Sequence, residues 1–147
     1  MKLTDALLGE HAVFYALFDQ IETATTATTS VTRLQEITMV LRAVLLSHAD
    51  LEEDLLFLAL EPFMGVDGPL AVMRAEHNEI EQALQQIEDI PDPDDATEAI
   101  SQALSLIRNH FRKEEEILFA MARQMLDDDT QIRLGKAWAD ARCVTIG

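Results

Sequence analysis

Ile107-Arg108-Asn109-His110-Phe111-Arg112-Lys113-Glu114-Glu115-Glu116-Ile117-Leu118 is the stretch from which the fold can be read. Ile100, Leu104, Ile107, Ile117, Leu118, Met121 and Met125 recur at intervals of three and four, the signature of one apolar helix face. His110 and Glu114 fill the gap in that stripe. Four residues advance a helix by about 6 Å and return to nearly the same side, so both side chains point where the apolar ones point.

Three further stripes precede this one. Leu7, Phe14, Phe18 and Ile21 form the first. Ile37, Leu41, Val44, Leu51, Leu55 and Leu58 form the second, and Leu70, Met73, Ile80, Leu84 and Ile87 the third. The five Gly and four Pro are few and clustered. Pro62, Gly65, Gly68 and Pro69 bracket one break, and Pro91-Asp92-Pro93-Asp94-Asp95 marks another. The run Thr23–Ser30 is weak as helix, and Ser30 or Thr29 is the expected cap of the second helix. Asp95, with Glu98 three residues on, is the expected cap of the fourth helix. Asp127-Asp128-Asp129-Thr130 opens a short closing segment over about 130–142, carrying Ile132, Leu134 and Trp138. The pattern predicts an all-α fold: an antiparallel up-down four-helix bundle over about 3–126 with a short additional C-terminal helix, in one domain spanning 1–147.

A histidine fills the gap in every stripe: His11, His48, His77 and His110, which are all four in the chain. In an antiparallel hairpin, residues equally far from the turn lie side by side. The midpoints of successive histidines fall inside the three breaks, which other residues mark independently, so the four imidazoles converge at one level. Glu52 follows His48 at four, as Glu114 follows His110. Unpaired carboxylates buried there would cost several kcal/mol, and six such ligands fit two cations better than one. Glu53, Asp54, Glu115 and Glu116 flank the pairs and read as solvated or boundary positions. Met39, Met64, Met73, Met121 and Met125 read as core filler.

Composition narrows the partners. Eleven Lys and Arg against 27 Asp and Glu give a net charge of −16, which opposes nucleic acid and anionic membrane surfaces. No apolar run approaches the roughly 20 residues of a membrane span, and no secretory signal is evident. The one cysteine, Cys143, reads as an incidental thiol of a reducing compartment. The expectation is a soluble cytoplasmic monomer. Mixed imidazole and carboxylate donors suit iron, manganese or zinc. The ferritin-like signature is absent, because Leu8, Leu45, Arg74 and Ile107 stand three residues before the histidines.

His11, His48-x-x-x-Glu52, His77 and His110-x-x-x-Glu114, with Leu8-Gly9-Glu10-His11 and the run from His110 to Phe119, resemble the bacterial hemerythrin-like (HHE cation-binding) domains over about residues 3–126. The resemblance implies a non-haem di-iron site (Fe2+/Fe3+) with two carboxylate bridges and one oxo or hydroxo bridge. His11 and His48 would bind one iron, His77 and His110 the other, and Glu52 and Glu114 would bridge. O2, peroxide or NO would be the small-molecule ligand. Oxygen carriers of the family have a histidine where this chain has Glu81, and a His-x-x-x-x-Asp where it has His110 and Glu114. Glu81 is read as a seventh ligand or a polar neighbour; anionic oxygen there would favour Fe(III). Tyr15, on the face of His11, either hydrogen-bonds a bound peroxide or occupies the open position, or else serves as a core aromatic. The resemblance leaves three functions open: carrier, scavenger or sensor of a small oxidant; an enzyme disproportionating peroxide or reducing NO; or a zinc- or iron-stabilised regulatory bundle. Protons are expected to displace the metal as pH falls toward about 4 to 5.

Overall fold

The computed structural model describes residues 1–27 and 30–147. Among the described residues all regular structure is helical: Leu3–Ala27 (α1); Val31–Leu51 running on through Glu52–Phe57 into Leu58–Met64 (together α2); Pro69–Ile87 (α3); Pro93–Lys113 running on through Glu114–Leu118 into Phe119–Met125 (together α4); and Asp128–Ala141 (α5). They pack as a helical bundle.

Caps set the ends. Ser30 Oγ accepts from the Arg33 N–H at 3.3 Å and starts α2; Thr29, the other expected cap, lies outside the described residues. Asp92 caps α4, accepting from the Asp94 and Asp95 N–H groups at 3.0 Å. The cap therefore falls three residues ahead of Asp95, because Pro93 presets the first turn and needs no partner for a missing N–H. Asp127 caps α5 through the Thr130 N–H at 2.7 Å. Residues 23–27 stay helical against expectation. The hydroxyls of Thr23, Thr25 and Thr26 donate back to carbonyls three or four residues earlier, which anchors them along the helix. The second rod runs past Pro62 and ends at Gly65, whose φ of 77° a side chain would resist.

Two segments, Glu52–Phe57 and Glu114–Leu118, are wound as π-helix, with Leu58 N–H bonded to Glu53 O and Phe119 N–H to Glu114 O. Each π-turn takes in one extra residue and rotates everything beyond it. An unbroken spacing points Leu58 and Ile117 inward; in the structure they are 55% and 56% exposed. Leu56, Phe57 and Leu60 fill the core in α2, and Leu118, Phe119 and Ala122 in α4. Val44 and Met39 are also exposed, their places taken by Leu45 and Thr38.

Buried apolar side chains form two clusters. Phe14, Phe18, Leu41, Leu84, Leu104 and Phe111 belong to one; Leu3, Leu7, Phe57, Leu70, Phe119 and Leu134 belong to the other. Along the chain His11, His48, Glu52, His110 and Glu114, all buried, fall between members of the two clusters. A polar layer thus divides the core.

The closing helix rests on the start of α1. A Cβ on Gly135 would lie 2.2 Å from the Met1 carbonyl oxygen and 3.2 Å from Leu3 N, and neither backbone atom can swing aside. Gly9, on the exposed side of α1, would meet nothing within 4 Å. The two Gly→Ala substitutions should therefore have opposite signs. Gly9→Ala should stabilise by up to about 1 kcal/mol, the helix-interior preference for alanine. Gly135→Ala should destabilise by about 1–3 kcal/mol through overpacking, a fall of roughly 2–4 °C per kcal/mol in a chain this size. Thermal melts followed by circular dichroism decide; a stabilised Gly135→Ala would show that α5 does not rest on α1 in solution.

Candidate metal centre

Glu52 and Glu114 stand at the middle of the polar layer, each with one oxygen turned to either side. Glu52 Oε1 lies 3.6 Å from His48 Nε2, and its Oε2 lies 3.5 Å from His77 Nε2. Glu114 Oε2 lies 3.3 Å from His11 Nε2, and its Oε1 lies 3.5 Å from His77 Nε2 and 2.8 Å from His110 Nε2. Two groups of potential metal donors result, His11/His48/Glu52/Glu114 and Glu52/His77/His110/Glu114, with the donor atoms of each within 4.8 Å of one another. Both glutamates belong to both groups.

Every imidazole turns its other nitrogen to a carboxylate on the next rod. His48 Nδ1 donates to Glu10 of α1 at 2.5 Å, and His77 Nδ1 to Glu53 of α2 at 2.7 Å. His110 Nδ1 donates to Glu76 of α3 at 2.8 Å, and His11 Nδ1 to Glu115 of α4 at 2.8 Å. These four bonds close a ring through all four rods. Glu53 and Glu115, expected as solvated or boundary residues, are half-buried and belong to this ring; Asp54 and Glu116 are exposed. The sequence carried a signal for them, since each of the four acids adjoins a residue of the centre: Glu10-His11, Glu52-Glu53, Glu76-His77 and Glu114-Glu115. The rings are also wedged in place. His11 stacks on Phe111 with centroids 3.8 Å apart, and His77 on Phe57 at 5.6 Å.

The outer carboxylates decide the tautomers. An ionised carboxylate only accepts, so each Nδ1 carries the hydrogen and each neutral imidazole aims a bare Nε2 at the centre. His11 Nε2 and His48 Nε2 then face each other at 3.1 Å, two lone pairs with nothing to share unless a proton or a cation lies between. All four oxygens of Glu52 and Glu114, and His110 Nε2, are buried without a hydrogen bond of good geometry. A separation of about 3 Å is what two ligands some 2.1 Å from one ion present at right angles. The donors fit a pair of cations.

Without metal the layer must hold protons instead. Burial disfavours an imidazolium at His77, but Glu114 and Glu52 hold its proton and push its pKa up to about 10. His11 and His110 are raised for the same reason, against burial and chiefly by Glu114. Burial and the Glu114 charge raise Glu52. Burial also presses on Glu114, yet the imidazoles of His11, His110 and His77 beside it hold it well below the carboxylate range.

A cavity of about 180 Å³ reaches this layer between α2, α3 and α4, where His48, His77 and His110 line it. Arg42 and Glu81 stand in its wall, with the guanidinium bonded to Glu81 at 3.3 Å and to Glu88 at 3.2 Å. Glu81 belongs to neither donor group. Tyr15 lies outside both as well: its hydroxyl donates to Glu115 at 2.9 Å, and burial with that carboxylate raises its pKa to about 12.

The family model described as the hemerythrin HHE cation binding domain matches residues 2–133. A curated protein named DNA nickase, from Nostoc sp. (strain PCC 7120 / SAG 25.82 / UTEX 2576), is similar to the chain, 25% identical over 130 residues. The match takes in 88% of this chain and 36% of the relative, so the chain spans about a third of that protein's length. No solved structure gives a significant match.

Protons and metal compete for the same nitrogens, which fixes the sign of the pH dependence. A His77 pKa raised from 6.5 to about 10 stabilises the metal-free fold fully below 6.5, and that stability is lost as pH rises through about 10. Metal affinity should climb across the same window, so competition should begin well above the expected pH of about 4 to 5. Divalent metal added at pH 7 should release at least one proton per chain, read by calorimetry in buffers of different ionisation enthalpy. Uptake without proton release would contradict this account of the layer.

Proposed function

Because the chain belongs to the hemerythrin HHE cation-binding family, we propose that its polar layer holds two iron ions and binds O2 or a related small oxidant, peroxide or NO, as carrier, scavenger or sensor. The observation that carries this reading is the double use of Glu52 and Glu114. A carboxylate whose two oxygens face different donor groups is placed to bridge two ions. His11 and His48 would hold one ion and His77 and His110 the other, with an oxo or hydroxo bridge completing the pair. When bound, the iron pair would supply one-electron chemistry and an open position for a small oxidant.

The chain's own residues do the rest. Four outer carboxylates hold the Nδ1 hydrogens and keep each Nε2 basic, which favours the ferric state. The cavity gives a small molecule a way to the His48, His77 and His110 side of the layer. Glu81 stays with Arg42 in the cavity wall, and Tyr15 acts on His11 through Glu115. The rods form an antiparallel up-down bundle in a single domain. No described helix is long and apolar enough to cross a membrane. DNA nicking, the activity in the name of the Nostoc relative, does not suit a chain of net charge −16, which repels a phosphate backbone.

Protein expressed with iron should contain two irons per chain. Its near-ultraviolet absorption should bleach with dithionite and return in air. Glu114→Ala should lose at least half of the iron, since the bridge serves both ions. One zinc per chain, or intact helices with no metal, would overturn the redox reading, and unchanged iron in Glu114→Ala would remove the bridging role.

A further inference from the structure

Among the four outer carboxylates, Glu10 has a tie to the closing helix. Its Oε2 accepts from His48 Nδ1, while its Oε1 accepts from Trp138 Nε1 at 3.0 Å and from Arg142 Nε at 2.6 Å. The same guanidinium donates to Ser47 Oγ at 2.6 Å and to the Ser47 carbonyl at 3.3 Å. The end of α5 thus clasps α1 and α2 at the level of His48. Backbone fixes where that clasp points. The Val144 N–H bonds to Ala139 O at 2.8 Å and the Cys143 N–H to Asp140 O at 3.2 Å, with Cys143 at φ 55°. This closure of a helix end is usually left to glycine, and it stops α5 at Arg142. The other outer carboxylates are held from within the four rods: Glu53 by Arg74, Glu76 by Lys113 and Glu115 by Tyr15.

We propose that Trp138 and Arg142 are positioning residues for the His11/His48 half of the metal centre. By holding Glu10 they set the orientation of His48 and keep its hydrogen on Nδ1, so that docking of α5 and occupation of that half stabilise each other. The inference rests on the metal-binding reading above. It goes beyond it in making the two halves unequal, with α5 coupled to one of them. Coupling of this kind is reciprocal: what loosens the clasp weakens one ion, and loading that ion tightens the clasp.

The test uses the full chain and Zn2+, which is spectroscopically silent. Trp138, the single tryptophan, reports from within the clasp. Zinc is titrated while bound metal is counted and Trp138 emission is followed. Two ions should bind, with a change in emission tracking one of the two steps. Arg142→Ala should weaken that step by about tenfold, in the range seen when outer partners of metal ligands are removed, and leave the other within about twofold. Arg142→Lys should recover part of the loss, and Lys136→Ala, which cuts only an exposed pair with Asp140, should lose nothing. Glu10→Gln combined with Arg142→Ala should be no worse than Glu10→Gln alone, because Arg142 acts through Glu10. Hydrogen exchange in residues 128–142 should slow on loading. Should Arg142→Ala fail to fold, Trp138→Phe removes the bond to Glu10 along with part of the ring and the emission signal, and the count of bound metal should show the same step weakened. Two steps unchanged in both variants, or weakened equally, would overturn the inference while leaving the metal reading intact. A wild-type chain that takes up no metal would overturn both.

Discussion

The rest of this structure depends on two carboxylates buried against imidazole nitrogens. Glu52 and Glu114 have no exposed surface, and none of their oxygens has a well-formed hydrogen bond. Such groups survive in a folded protein where a proton neutralises them or positive charge is brought to them. Here it comes as protons on the histidines or as metal. The four Glu–His bonds between rods prejudice that choice. By holding hydrogen on every Nδ1 they leave four Nε2 lone pairs converging on the glutamates, which suits cations better than it suits protons. Because each bond joins a different pair of neighbouring rods, the ligand geometry and the packing of the bundle are one constraint.

The π-turns explain how adjacent acids can do different work. Glu52 and Glu114 each open a π-helical segment. In both places the first acid enters the core and the second reaches across to the histidine of the neighbouring rod. The wider turn also shifts which apolar residues face inward beyond it, so Leu56 and Leu118 continue the core. π-turns often mark functional sites, and here the irregularity begins at the two residues that both donor groups share.

Much of this is legible in the sequence, and the misses have physical causes. The stripes of α1 and α3 and the level of the histidines come from spacing alone, because those helices are regular and the breaks between them are strong. A π-turn leaves no mark in a three-and-four pattern, so spacing misplaces Leu58 and Ile117. At the start of α4 the capping-box spacing favours Asp95, whereas the proline after Asp92 decides for Asp92. Glu10, Glu53, Glu76 and Glu115 escape a reading by spacing because an acid beside a ligand looks like part of a solvated face. Only the cross-rod register shows that its oxygen meets the histidine of a neighbouring helix.

The register also gives the centre two unlike sides. Arg42, Leu45, Ile80, Leu84 and Phe111 line the cavity together with His48, His77 and His110, and its lining includes no residue of α1 or α5. On the α1 side, His11 is covered by Phe111 and Phe119 and bonded to Glu115, which also takes the Tyr15 hydroxyl. A small molecule arriving through the cavity meets the His77/His110 half and one edge of the other. His11 stays shielded, and α5 grips the chain at Glu10. Access and support are thereby assigned to different helices. Substitutions in the cavity wall bear on the way in to the layer, whereas changes at the α5 clasp bear on Glu10 and, through it, His48.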